Sequence, residues 1–238
     1  MAPHRVRRTL LLAALGLTLA ATLTACTDAE GVHSDGPMDD VTAPLTLWPD
    51  TVPSHASAEQ RPGTPTTVDG VPKVPSGDMD DADALEVVKA DIAESGRTDK
   101  GSGRLVSPQA VKRLADCTGK ACPVRKPVLH DLTGDGKDEL ITAVDIDGRT
   151  SELRVYTVRR GQVVRVLARR AVLEGVEVAA GHLAIREPTS NPEYVSVSDY
   201  IWDDAAMDGK GAMVLSGVTL DECRSRKSSD EPCPKVLS

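Results

Sequence analysis

Nine residues in the middle of the chain carry the oxygen spacing of a cation loop: Asp131-Leu-Thr133-Gly-Asp135-Gly136-Lys137-Asp-Glu139. Side-chain oxygens of Asp131, Thr133, Asp135 and Glu139, with the backbone carbonyl of Lys137, can converge on one hard cation such as Ca2+. Gly136 permits the sharp turn this needs. The loop is not an EF-hand, because Thr142 stands where a bidentate Glu is required. Thr133 is also a poorer ligand than Asp or Asn. The same residues read equally as a Gly-Asp-Gly hairpin turn with solvated acids and no cofactor. Both readings stand.

Little else in the chain has the makings of catalysis. His130 precedes Asp131 at a strand end, but no Ser, Cys or second acid stands at a telling distance for a triad. Packing or a turn hydrogen bond is its expected role. Tyr200 and Trp202, in Tyr194-Val-Ser-Val-Ser-Asp-Tyr-Ile-Trp202, read as the core face of a late strand. GxSxG, HExxH and phosphate-loop patterns are absent, so the sequence reads as a non-enzyme.

Cysteine chemistry is the other candidate. Cys26 closes the series Arg5, Arg7 and Arg8, then an apolar run from Leu10 to Leu23, then Thr24-Ala25-Cys26. Basic, apolar and small residues in that order make a secretory signal peptide. The run is about 14 residues, short of the ~20 a spanning helix needs. Leu23-Thr-Ala-Cys26 resembles the lipobox of bacterial lipoproteins, in which the Cys thiol takes a diacylglycerol and the chain is cut before it. Acyl chains on Cys26, palmitate among them, then hold the protein on the extracytoplasmic face of the cell membrane at ~0.8 kcal/mol per buried CH2. Export favours disulfides among Cys117, Cys122, Cys223 and Cys233, which allow three connectivities. Turn-rich surroundings favour the local pairs, Cys117 with Cys122 and Cys223 with Cys233. Beyond residue 25 the chain carries 36 acidic residues and all but three of its 28 basic ones. That balance does not favour nucleic acid, and none is expected as a partner.

These residues need elements to position them. From Thr27 to Asp78 the chain holds eight of its sixteen prolines and no sustained apolar period, which reads as a disordered tether. Leu45-Thr-Leu-Trp48-Pro interrupts it, as a docking motif or as an arm tucked onto the domain. Asp78–Glu94 reads as a helix, with Asp80, Asp81 and Asp83 at its positive end, Leu85, Val88 and Ile92 as its stripe, and Gly96 as its stop. A second helix is expected over Ser107–Ala115, with Pro108 in its first turn. After Val124 the period changes to two. Strands are predicted at Pro127–Leu132, Glu139–Ile146, Glu152–Arg159, Val163–Ala168, Gly175–Ala179, His182–Arg186, Tyr194–Trp202 and Ala212–Val218. Gly161-Gln162 and Gly181-His182 are the predicted hairpin turns. The result is an α+β domain, with N-terminal helices packed on a mainly antiparallel β meander. Its organisation is a signal peptide over 1–25, a lipidated tether over 26–78, a folded domain over 79–220 and a Cys-containing tail over 221–238.

The Asp131–Leu140 stretch is similar to the calcium loops of FG-GAP/VCBS repeats, the blade motif of integrin-like propellers. Only one copy is present, while propellers need several. Three further segments bring a family into view: Val71-Pro-Lys-Val-Pro-Ser-Gly-Asp78, Cys122-Pro-Val-Arg125 and Arg186-Glu-Pro-Thr-Ser-Asn-Pro-Glu-Tyr194. With the Asp131–Ile141 stretch and the lipobox, they resemble the CseA-type lipoproteins. That resemblance implies a membrane-anchored, non-catalytic negative modulator of envelope-stress signalling, tied to a sigma factor and acting on the external domain of its sensor histidine kinase. The tail Asp221–Ser238 departs from the family pattern. A calcium-stabilised cell-surface binding or adhesion module is the alternative, with a hydrolase a distant third.

Overall fold

A computed structural model describes residues 43–49, 65–98, 108–146, 150–191 and 193–222. The signal peptide, Cys26, Cys223, Cys233, most of the tether and nearly all of the tail lie outside the described residues. Every described residue belongs to one compact unit within 42–238.

Among the described residues ten strands form in chain order: β1 (Leu45–Leu47), β2 (Thr66–Thr67), β3 (Val128–His130), β4 (Glu139–Asp145), β5 (Ser151–Arg159), β6 (Gln162–Ala171), β7 (Gly175–Ala179), β8 (His182–Pro188), β9 (Tyr194–Asp203) and β10 (Ala212–Glu222). Their pairings are all antiparallel, and they make a β-rich domain of two five-stranded sheets, ordered β2-β6-β5-β4-β3 and β1-β7-β8-β9-β10. The expected single meander therefore breaks after β6 into two. Each sheet is a run of four consecutive strands, with one strand from the supposed tether added at an edge. β1 pairs Leu45, Thr46 and Leu47 with Val178, Glu177 and Val176. The arm around Trp48 is thus tucked onto the domain. Leu47 is buried there, and the Trp48 indole donates to the Lys126 carbonyl at 2.8 Å. Val68 and Val74 are buried as well, and their amides donate to Val163 and Gly161.

The break has a packing cause. β4 is buried on both faces through Val144, and β5 through Thr157, so each needs cover from two sides. Leu153 and Val155 of β5 share one cluster with Val176, Val178, Leu183, Ile185 and Tyr200 of the other sheet. Tyr156 faces the opposite way, into a second cluster with Val87, Val88, Ile92, Ala110 and Leu114. Those last five belong to α1 (Ala84–Thr98) and α2 (Pro108–Ala115). A register shift opposite Val155/Tyr156 leaves Val166 unpaired on β6, which turns both Val166 and Leu167 toward the sheet-to-sheet core.

Local chemistry adjusts the predicted bounds. Asp78 caps a short 3-10 turn, Met79–Asp81, by accepting from the Asp80 amide. Asp83 then starts α1, accepting from the Leu85 and Glu86 amides at 3.0 Å each. Two acids able to cap therefore split the predicted single helix. Gly96 does not stop α1, which continues to Thr98. The β5–β6 turn is Arg160-Gly161, both at positive φ, because Arg159 pairs with Gln162. Ala179 likewise pairs with His182, so that turn is Ala180-Gly181. Both lie one residue earlier than predicted. No helix among the described residues is long and apolar enough to cross a membrane.

Candidate functional site

The Asp131–Glu139 loop joins β3 to β4, two strands whose register pairs His130 with Glu139. Inside it, the Asp131 carboxylate accepts from the Gly134 amide at 2.7 Å and the Gly136 amide at 2.9 Å. The Thr133 hydroxyl also lies 3.5 Å from Asp131. Asp135 accepts from the Lys137 amide at 3.0 Å. Glu139 is buried, with one oxygen accepting from the Leu132 and Thr133 amides at 2.9 and 3.1 Å. Its other oxygen accepts from the Thr157 hydroxyl of β5 at 2.8 Å. Burial pushes the Glu139 carboxyl above its usual range, while Thr157 and the two amides pull it back.

The loop is also a junction. His130 Nε2 lies 2.9 Å from the Ala180 carbonyl in the β7–β8 turn, the turn hydrogen bond expected of it. The Met79 amide donates to the Asp138 carbonyl at 3.2 Å. Lys137 extends along Gly77, where a methyl group would meet its Nζ at 2.5 Å. Burial, then the Asp78 carboxylate, raises the Asp138 pKa. Segments 77–79, β3–β4, β5 and the β7–β8 turn all meet here.

A calcium site would draw on Asp131, Thr133, Asp135, the Lys137 carbonyl and Glu139. Here the oxygens of Asp131 and Glu139 are engaged by amides and a hydroxyl of the loop and of β5. Among the described residues, no three His, Cys, Asp or Glu side chains form a group that could hold a metal. As arranged here, this donor set closes the loop through its own amides and the Thr157 hydroxyl.

Three other polar groupings stand out. The first escaped the sequence reading: Asp91 of α1 pairs with Arg154 of β5 and, at 2.6 Å, with Arg165 of β6. It also accepts from the Tyr156 hydroxyl at 2.9 Å, and Glu152 pairs with Arg154. Burial, then the Asp91 charge, keeps that phenol protonated. The signal was present, since Asp91 falls on the Val88/Ile92 stripe at i+3 from Val88. The second is an ion pair between Arg169 and Glu187, with the Arg169 guanidinium 6.0 Å from the Tyr200 ring. Tyr200 is buried and Trp202 packs against the core beneath Arg159, as expected of a core-facing strand.

The third is the meeting of His182, Asp199 and Ser216 on the second sheet. Asp199 stands between the others: Ser216 Oγ donates to it at 2.7 Å, and His182 Nδ1 lies 3.0 Å away. The serine proton goes to a carboxylate and not to the imidazole, so this is not the order that activates a nucleophile. Of the four cysteines, Cys117 and Cys122 are joined by a disulfide across the turn after α2.

No family model, curated protein or solved structure matches the chain.

Proposed function

We propose that the chain is a lipid-anchored extracytoplasmic lipoprotein that dampens envelope-stress signalling by binding, with Cys26 as its anchor and an α+β domain as its working part. The observation that carries the reading is where the family-like segments fall. In Cys122-Pro-Val-Arg125, the Arg125 amide donates to the Ala143 carbonyl, and its guanidinium bonds Asp145 and Ser151. In Arg186–Tyr194, the Thr189 hydroxyl lies 2.7 and 2.9 Å from the Asn191 and Tyr194 carbonyls. The Asp131 loop is closed in the same way. The distinctive residues spend their polar atoms on shaping loops, and a shaped surface on a tether is suited to recognition.

The external domain of a sensor histidine kinase is the partner this reading names. Crosslinking in membranes that hold both proteins should capture that domain. Deleting the chain should raise output from the sigma-dependent promoter, and Cys26→Ser should release the chain from the membrane and mimic the deletion. Unchanged output on deletion would remove the regulator reading. The adhesion alternative has less support, because the Asp131 and Glu139 oxygens are already engaged.

A further inference from the structure

β10 is the long open edge of its sheet: eleven residues, with β9 as its one strand neighbour among the described residues. Its register with β9 shifts at Ser216, which puts Leu215, Val218 and Leu220 opposite Tyr200, Ser198 and Ser196, all on one face. Near Met213 that face joins the core. Farther along it overhangs, and Leu215, Val218 and Leu220 are 45, 55 and 65 % exposed. A long edge with an apolar row, no Pro and no Lys is the kind that proteins cover or blunt.

We propose that the chain's own C-terminus covers it: Cys233–Ser238 lies antiparallel along Val218–Cys223 as an eleventh strand, clamped by a Cys223–Cys233 disulfide. Sixteen residues follow Glu222. Pairing Cys223 with Cys233 leaves Arg224–Pro232 as the turn, and this stretch holds no apolar side chain except its proline. The register then follows with no freedom. Leu220 meets Val236 on the apolar face, and Asp221 meets Lys235 on the other, beside Arg186, which already pairs with Asp221 at 3.3 Å. Both kinds of cross-strand pair are favourable. Pro234 is tolerated on an edge strand and would block any further strand from adding. Closing the bond takes two thiols to one disulfide. The two electrons and two protons pass to a disulfide-class oxidant, which leaves as a dithiol.

The test is peptide mapping without reduction, together with amide hydrogen exchange, on the full chain folded under oxidising conditions. The expected results are a Cys223–Cys233 peptide and a monomer. Exchange at Val218–Glu222 should be slowed roughly tenfold or more relative to the chain ended after Glu222. Val236→Asp, with both cysteines kept, should lose that protection while β8 stays protected. Equal exchange in the full and shortened chains would overturn the proposal, as would Cys223 or Cys233 found as a free thiol. Protection that appears only with a concentration-dependent dimer would assign the edge to a second copy instead.

Discussion

Asp91→Ala tests whether the charge cluster beneath α1 is as dry as its geometry. Arg154 is 0 % exposed and Asp91 2 %, and the carboxylate is shared by two guanidiniums and the Tyr156 hydroxyl. Removing the acid leaves Arg154 with Glu152 and the Tyr156 hydroxyl, and Arg165 with the Ser95 and Thr66 hydroxyls. Breaking a buried pair from one side costs about 3–5 kcal/mol, because the remaining charge stays out of water. For a domain of this size each kcal/mol moves the melting temperature by ~2–4 °C, so the shift is ~6–20 °C downward. Urea unfolding should show the midpoint falling with an unchanged slope, meaning lost stability and not a change of compactness. Replacing the whole group (Asp91→Leu, Glu152→Leu, Arg154→Met, Arg165→Met) should recover most of the loss, since apolar packing often matches a buried ion pair. A loss below ~1 kcal/mol for Asp91→Ala is the range of a surface pair and would refute the argument.

Three further outcomes are expected. Burial pushes Glu174 up to about 7 from 4.5, with Glu187 adding and Arg186 opposing. The folded chain therefore keeps a proton there that the unfolded chain releases, and this contribution is full below pH 4.5 and lost as pH rises through 7. Melting temperature should fall over that window less steeply for Glu174→Gln than for the native chain, and parallel profiles would contradict the shift. Glu139→Ala strands the buried Leu132 amide and the Thr133 amide beside it, a loss of ~1–3 kcal/mol per buried group, while melts in calcium and in chelator should superimpose. A calcium-dependent rise approaching ~2.7 kcal/mol at a hundredfold excess over Kd would restore the ion. Trp48→Ala removes the bond to Lys126 and the contact with Arg125, 5.4 Å from the ring, and should cost ~1–3 kcal/mol in urea. No change in midpoint would mean that the arm is not part of the stable unit.

The strands were legible because alternation survives even where both faces are covered. Leu153 and Val155 mark one face of β5 for the reader, and the structure packs them against the second sheet. The opposite face carries Glu152, Arg154 and Tyr156, and α1 lies over it and brings Asp91 as the counter-charge. A polar residue in a strand pattern shows only that its partner is polar, and water is one such partner among several. β1 and β2 were hidden by their length. Three and two residues cannot establish a period, and their composition matches the tether around them. Their stability comes from the sheets they join, which a local pattern does not contain.

The loop's ambiguity has the same kind of origin. A cation loop and a self-closed turn both need acceptors at its ends, because each must gather positive charge inside a tight bend. Calcium supplies that charge as one ion, while backbone amides supply it as several partial charges. Asp131 gathers the amides of Gly134 and Gly136, and Glu139 gathers those of Leu132 and Thr133, so the spacing that suits an ion is also the spacing that reaches four N–H groups. At the ninth position Glu139 turns one oxygen to the loop amides and its second to Thr157 in the neighbouring strand. That bond ties the loop to the middle of a sheet, and with it the junction of segments 77–79 and the β7–β8 turn. The acid expected to hold a metal thereby fixes the shape of one end of the domain, a role that Glu139→Gln can isolate. Its amide can still accept from Leu132 and Thr133 through oxygen and donate to Thr157 through nitrogen. It should therefore retain most of the stability that Glu139→Ala loses, and a Gln variant as unstable as the Ala variant would show that the charge matters more than the hydrogen-bond pattern.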